Sequence, residues 1–162
     1  MEIKRSYHVA FLVADIEAGI AHFGTALGLT FRPVQTLTTV PDPSGAGERA
    51  VLSSYSYEGP PYVQLIEGQE TGVYGLAGGE GFHHFGVWVD DAQESRELLG
   101  AKGLRPQMHF GPDDAIVAWY NEPADLHGIR VEYTGEAVRP GVEAFLRGDI
   151  ALGDVADSAA PK

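Results

Sequence analysis

The chain of 162 residues has room for one domain or for two small modules sharing a core. Its 11 Lys+Arg against 23 Asp+Glu give a net charge of −12, a surface field that disfavours nucleic acid and anionic membrane as partners. Cysteine is absent, which excludes disulfides, thiolate zinc sites and a cysteine nucleophile and leaves six His and the carboxylates for metal or acid–base chemistry.

The charged start Met1-Glu2-Ile3-Lys4-Arg5 carries no apolar core of a secretory signal, and no apolar run is long enough to span a membrane, so the expected location is the cytoplasm. A first strand is expected from about Ser6 to Val13. Asp15 stands where a helix N-cap belongs, Ile16, Ile20, Phe23, Ala26 and Leu27 follow at helical spacing, and Gly28 ends the helix. Strands are expected over Phe31–Val40, Ala50–Tyr57 and Tyr62–Ile66, with the Pro/Gly-rich stretch 41–47 as a loop. A Gly-rich linker, 72–81, leads to a strand over Phe82–Val89 and a helix capped by Asp91 that ends near Gly103. Three further strands lie near Pro106–Phe110, Ala115–Tyr120 and Ile129–Tyr133, followed by a short helix beginning near Arg139.

The chain repeats itself. Tyr7-His8-Val9-Ala10-Phe11-Leu12-Val13-Ala14-Asp15 matches His83-His84-Phe85-Gly86-Val87-Trp88-Val89-Asp90-Asp91 at an offset of 76. Ala26-Leu27-Gly28-Leu29 recurs as Ala101-Lys102-Gly103-Leu104, and Arg32-Pro33 as Arg105-Pro106. The organisation read from this is α+β with two tandem βαβββ modules. Residues 1–71 form the first and 82–135 the second, 136–151 an added C-terminal helix, and 152–162 a frayed tail.

Strand alternation separates the faces, since residues i and i+2 share one. Val9, Phe11 and Val13 are assigned to the helix side, as are Phe85, Val87 and Val89. The opposite faces carry His8, Ala10 and Leu12 in the first strand and His84, Gly86 and Trp88 in its repeat, with a small residue in the middle of each set. Gln64 and Glu132 occupy the same side of the last strand of their modules. His8, Gln64, His84 and Glu132 are therefore a candidate ligand set for one divalent ion: imidazole, amide oxygen and carboxylate suit Zn, Ni, Co, Mn or Fe. His83, next to His84, falls on the opposite face as a rim or packing residue.

These segments, with Val63-Gln64-Leu65-Ile66-Glu67 and Asp125-Leu126-His127-Gly128-Ile129-Arg130-Val131-Glu132-Tyr133, resemble the vicinal oxygen chelate superfamily over roughly residues 6–135. That group includes glyoxalase I, methylmalonyl-CoA epimerase, bleomycin- and fosfomycin-resistance proteins and extradiol dioxygenases. The His/Gln/His/Glu set looks most like the epimerase and glyoxalase branch. The resemblance implies a glyoxalase-like pair of modules whose mixed sheets form a cleft around one metal, and a homodimer. It also implies a metal-dependent isomerase, epimerase or lyase of a small oxygenated substrate. There the ion chelates substrate oxygens and stabilises an enediolate-like intermediate while a carboxylate moves the proton. Glu132, exchanging between ligand and base, and Glu48 are the carboxylate candidates. Arg130 is the anion-binding candidate, and Trp88, Tyr55, Tyr57, His109 and Trp119 are the remaining candidates for contact with substrate, the two tryptophans having core packing as their alternative. Two other functions stay open. One is an extradiol-type Fe(II) dioxygenase using His8, His84 and Glu132. The other is a non-enzymatic small-molecule or antibiotic-binding protein.

Overall fold

The computed structural model describes residues 3–38, 50–151 and 155. Glu48, the loop at 41–47 and, apart from Val155, the tail from 152 onward lie outside the described residues. The chain divides into two compact units, Ser6–Gly86 and Met1–Arg5 with Val87–Lys162. The division falls inside one strand, five residues beyond the expected linker.

The first unit is strand, helix, three strands, with the start of a fifth strand. β1 (Ile3–Val13) leads into α1 (Ile16–Leu27), then β2 (Gln35–Thr38), β3 (Ala50–Tyr55), β4 (Tyr62–Glu67) and β5 (Gly81–Val89). The strand order is β2-β3-β4-β1-β5. β1 runs parallel to β4, with Ala10 opposite Gln64, whereas β3 is antiparallel to both β2 and β4. The sheet is therefore mixed.

The helix forms as its capping residues dictate. Asp15 has extended backbone (φ −138°, ψ 119°) and its carboxylate accepts from Ala18 N–H at 2.8 Å, while Gly28 closes the helix at φ 70°. Asp15→Ala removes this acceptor and is expected to lower stability by about 1 kcal/mol, read as a shift of the denaturant midpoint at constant slope. The helix packs through Ile16, Ile20 and Phe23 on Phe11 and Val13, on the face that alternation assigned to it, and on Val63 and Leu65 of β4.

β2 is shorter than expected. Phe31 makes only an isolated bridge to Ser56, and Pro33, which has no N–H to give to a ladder, separates that bridge from Gln35. β3 likewise ends at Tyr55, leaving Tyr57 beyond it.

In the second unit the end of β5 is followed by α2 (Ala92–Gly100), β6 (Pro106–Phe110), β7 (Ala118–Asn121), β8 (Val131–Gly135) and α3 (Arg139–Arg147). The order is β5-β8-β7-β6, and β7 is antiparallel to both β6 and β8. Asp91 caps α2 by accepting from Glu94 N–H at 2.8 Å, repeating the device at Asp15.

β7 and β8 both start later than the sequence suggested. Ala115 closes a turn onto the Pro112 carbonyl, and Ile129 closes one onto that of Leu126. Asn121, fully buried, donates to the Ile129 carbonyl at 3.1 Å and accepts from Val131 N–H at 2.8 Å, which sets the first residue of β8. The C-terminal element is a 3-10 turn (Glu136–Val138) followed by α3, which Gly148 ends at φ 86°.

The core of this unit joins Val89, Ala92, Leu99, Ile116, Trp119 and Tyr133. Trp119 is completely buried, stacks on Tyr133 at 4.5 Å and donates its indole N–H to Ser95 Oγ at 2.8 Å. Ser95→Ala leaves that buried N–H without its acceptor, and a loss of roughly 1–3 kcal/mol in unfolding free energy is expected by chemical denaturation.

Candidate metal centre

β1 and β5 are neighbours in the sheet, so the repeat brings its two matched histidines face to face. His8 and His84 are both fully buried, their rings stand at 88° with centroids 4.9 Å apart, and their Nε2 atoms are 2.8 Å apart. Two imidazoles converging through the same ring nitrogen in a dry interior form a natural start to a metal site. Gly86 makes the approach possible. A Cβ there would run into Cε1 and Nδ1 of the His8 ring.

Gln64 shares the face of His8, because its register partner is Ala10, two residues along β1. It is buried; its Nε2 donates to Ser53 Oγ at 3.1 Å, and its Oε1 has no hydrogen-bond partner among the described residues. A buried amide oxygen left without a donor costs free energy. A cation would satisfy it, so the chemistry of these donors fits a divalent ion.

The remaining candidates divide between the units. In the first, the Tyr55 ring lies edge-on to His8 at 5.8 Å, and Tyr57 is half exposed under the Arg32 guanidinium, 4.5 Å from its ring centre. In the second, Glu132 is half-buried on β8 and accepts from Thr134 Oγ1 at 2.9 Å, on the side opposite Val131 and Tyr133. Arg130 donates through Nε to Gln107 Oε1 at 2.8 Å. Trp88 is buried, with the Arg139 guanidinium 5.4 Å from its ring centre. His109 lies 3.2 Å from Asp113 at the edge strand. Trp119 faces α2, in the core described above.

Sequence reasoning missed the part played by His83. It is not a rim residue: it is 4 % exposed. Its Nδ1 meets Nδ1 of His84 at 2.7 Å, its Nε2 meets the Val73 carbonyl at 2.9 Å, and its ring stacks on Tyr74 at 5.1 Å. The Gly-rich stretch is thus more than a spacer. Gln69 N–H bonds to the Tyr74 carbonyl and Leu76 N–H to the Gln69 carbonyl, and this folded segment presents Val73 and Tyr74 to His83. The signal available beforehand was the doublet His83-His84 directly after a glycine-dense run.

Paired βαβββ modules with histidines at the matched first-strand positions define a class, and comparison with known proteins agrees. The chain belongs to the Glyoxalase/Bleomycin resistance protein/Dioxygenase superfamily, whose model matches residues 7–118. A curated relative, the probable lactoylglutathione lyase, chloroplastic, of Arabidopsis thaliana, is 25 % identical over 151 residues, covering 91 % of this chain and 41 % of the relative. The chain therefore spans about two-fifths of the length of that protein. Among solved structures, a variant of Streptomyces coelicolor methylmalonyl-CoA epimerase in complex with 2-nitronate-propionyl-CoA is similar at a TM-score of 0.56 and 22 % identity, covering 83 % of this chain and 95 % of that one. Methylmalonyl-CoA epimerase from Mycobacterium tuberculosis is similar at 0.54 and 17 %, with 82 % and 86 % covered. At these identities the structures establish the α+β glyoxalase-like fold. Among the described residues no helix is long and apolar enough to cross a membrane.

Proposed function

We propose that this protein is a metal-dependent isomerase or lyase acting on a small oxygenated substrate, with His8, His84, Gln64 and Glu132 holding one divalent ion. The observation that carries the reading is the buried pair of histidines, Nε2 to Nε2 at 2.8 Å, on the same sheet face as the undonated Gln64 oxygen. Glu132 is the carboxylate of the proposed set. The superfamily membership and the lyase and epimerase relatives support the reaction type. Two neutral imidazoles, an amide and one carboxylate leave a bound divalent ion with about one unit of positive charge, enough to polarise a substrate carbonyl as a Lewis acid. In this reading Glu132 exchanges between ligand and base, and as base its carboxylate would take the proton from the carbon beside that carbonyl and return it to the same or the adjacent carbon. Arg130 and Tyr55 bind and orient the substrate. A cytoplasmic homodimer belongs to the same reading.

The test is elemental analysis of protein purified without a His tag, then deuterium wash-in with a panel of acyl thioesters and α-hydroxy carbonyl compounds. One divalent ion per chain and exchange at the α-carbon are expected. Failure to bind any divalent ion above background overturns the metal reading. Metal binding without exchange, but with oxygen consumed in the presence of catechols, transfers the site to the extradiol alternative, for which His8, His84 and Glu132 are the two-histidine, one-carboxylate set.

A further inference from the structure

We propose that His83 is a positioning residue that fixes the tautomer of His84, through a one-directional chain of hydrogen bonds starting at the Val73 carbonyl. The value of this device for metal binding rests on the reading above; the chain itself does not. A carbonyl only accepts, so at 2.9 Å His83 Nε2 carries the proton. In neutral His83 the other nitrogen, Nδ1, is then an acceptor, and the group facing it at 2.7 Å is Nδ1 of His84. His84 therefore bears its proton on Nδ1 and directs its Nε2 lone pair toward His8, whose Nε2 lies 2.8 Å away and supplies the hydrogen.

Every hydrogen points the same way, from His8 through His84 and His83 to Val73. The end of the chain is immobilised. His83 is 4 % exposed and stacked on Tyr74, itself 5 % exposed, and both Val73 and Tyr74 are carried by the hydrogen-bonded Gly-rich segment. The consequence is an asymmetry between two histidines that the repeat makes equivalent. His84 holds a lone pair on Nε2 before any ion arrives, whereas His8 must move its proton from Nε2 to Nδ1 to offer the same nitrogen. A ligand imidazole anchored through its other nitrogen loses less orientation on binding, and removing such an anchor typically weakens metal affinity about 10–100-fold.

The experiment is long-range proton–nitrogen correlation NMR of the metal-free protein, together with Zn²⁺ titrations of wild type, His83→Phe and His83→Asn. In metal-free wild type His84 is expected as the Nδ1–H tautomer and His8 as Nε2–H. Zn²⁺ should convert His8 alone. His83→Phe keeps a ring against Tyr74 but accepts nothing. It is expected to populate both tautomers of His84 and to bind Zn²⁺ about 10–100-fold more weakly. His83→Asn, whose Oδ1 can replace the Nδ1 acceptor, is expected to restore the Nδ1–H tautomer and most of the affinity, which simple repacking does not predict. It also carries the test if His83→Phe fails to fold.

An Nε2–H tautomer of His84 in the metal-free wild type overturns the proposal, as does a His83→Phe protein whose His84 remains wholly Nδ1–H. Wild type that binds no Zn²⁺ while His84 is Nδ1–H overturns the metal reading and supports the chain.

Discussion

Gly86→Ala is expected to abolish high-affinity divalent metal binding while leaving a folded protein. The added methyl would occupy the space of Cε1 and Nδ1 of His8. That ring is completely buried between β1 and its neighbours, flanked by Tyr7 at 4.5 Å, Tyr55 at 5.8 Å and His84 at 4.9 Å between ring centres. A one-carbon overpacking of this kind costs roughly 1–3 kcal/mol. For affinity the effect is larger, because a displaced ring removes a ligand rather than a support, so the loss should exceed the ~100-fold that marks the upper end for supporting residues. Isothermal titration with Zn²⁺ reads the affinity and urea denaturation the stability. An unchanged affinity would show that His8 is not a ligand, since no arrangement keeps both the new methyl and the His8 ring where they stand. At the matched position of the first strand the chain already has Ala10, so the requirement for glycine is specific to the strand that the His8 ring covers.

The parts of this architecture that repeat were legible in the sequence. Strand period, the Asp caps at 15 and 91 and the sorting of Phe11, Val13, Val63 and Leu65 from His8 and Gln64 all follow from local pattern, and all appear in the structure. The parts that depend on a side chain leaving its expected partner were not. Asn121 moves the start of β8 to Val131 by occupying the backbone positions that a strand partner would otherwise hold. Alternation places His83 and His84 on opposite faces, which is true of their Cβ directions yet does not prevent two adjacent imidazoles from meeting through Nδ1. The support for that contact comes from residues 72–81, whose composition reads as a linker because glycine carries no face pattern. Backbone hydrogen bonds and the single buried ring of Tyr74 hold this segment, and neither leaves a periodic pattern.

Gln64 offers a test that separates stability from affinity. Among the described residues its Oε1 is buried without a donor, while its Nε2 is engaged by Ser53 Oγ at 3.1 Å. Leaving such an oxygen unsatisfied costs roughly 1–3 kcal/mol in the metal-free protein. Gln64→Leu has similar volume and removes the oxygen. Ser53, at 2 % exposure, is left without that donor, a cost of the same order, roughly 1–3 kcal/mol. The two terms offset, so the metal-free variant is expected to be about as stable as wild type, while its Zn²⁺ affinity falls at least ~10-fold with the loss of an oxygen ligand. Gln64→Glu should behave in the reverse sense. A carboxylate in this buried position lowers metal-free stability, because its charge has no partner until the ion arrives, and it binds Zn²⁺ more tightly at neutral pH. Measuring thermal midpoints with and without Zn²⁺ gives both quantities from one set of samples, since a ligand that binds only the folded state raises stability by RT ln(1 + [L]/Kd). If instead Gln64→Leu loses stability and keeps its affinity, the amide is a packing and hydrogen-bonding residue of β4. The ion would then be held by the two histidines and the carboxylate alone. The separation matters because a damaged fold lowers both quantities together.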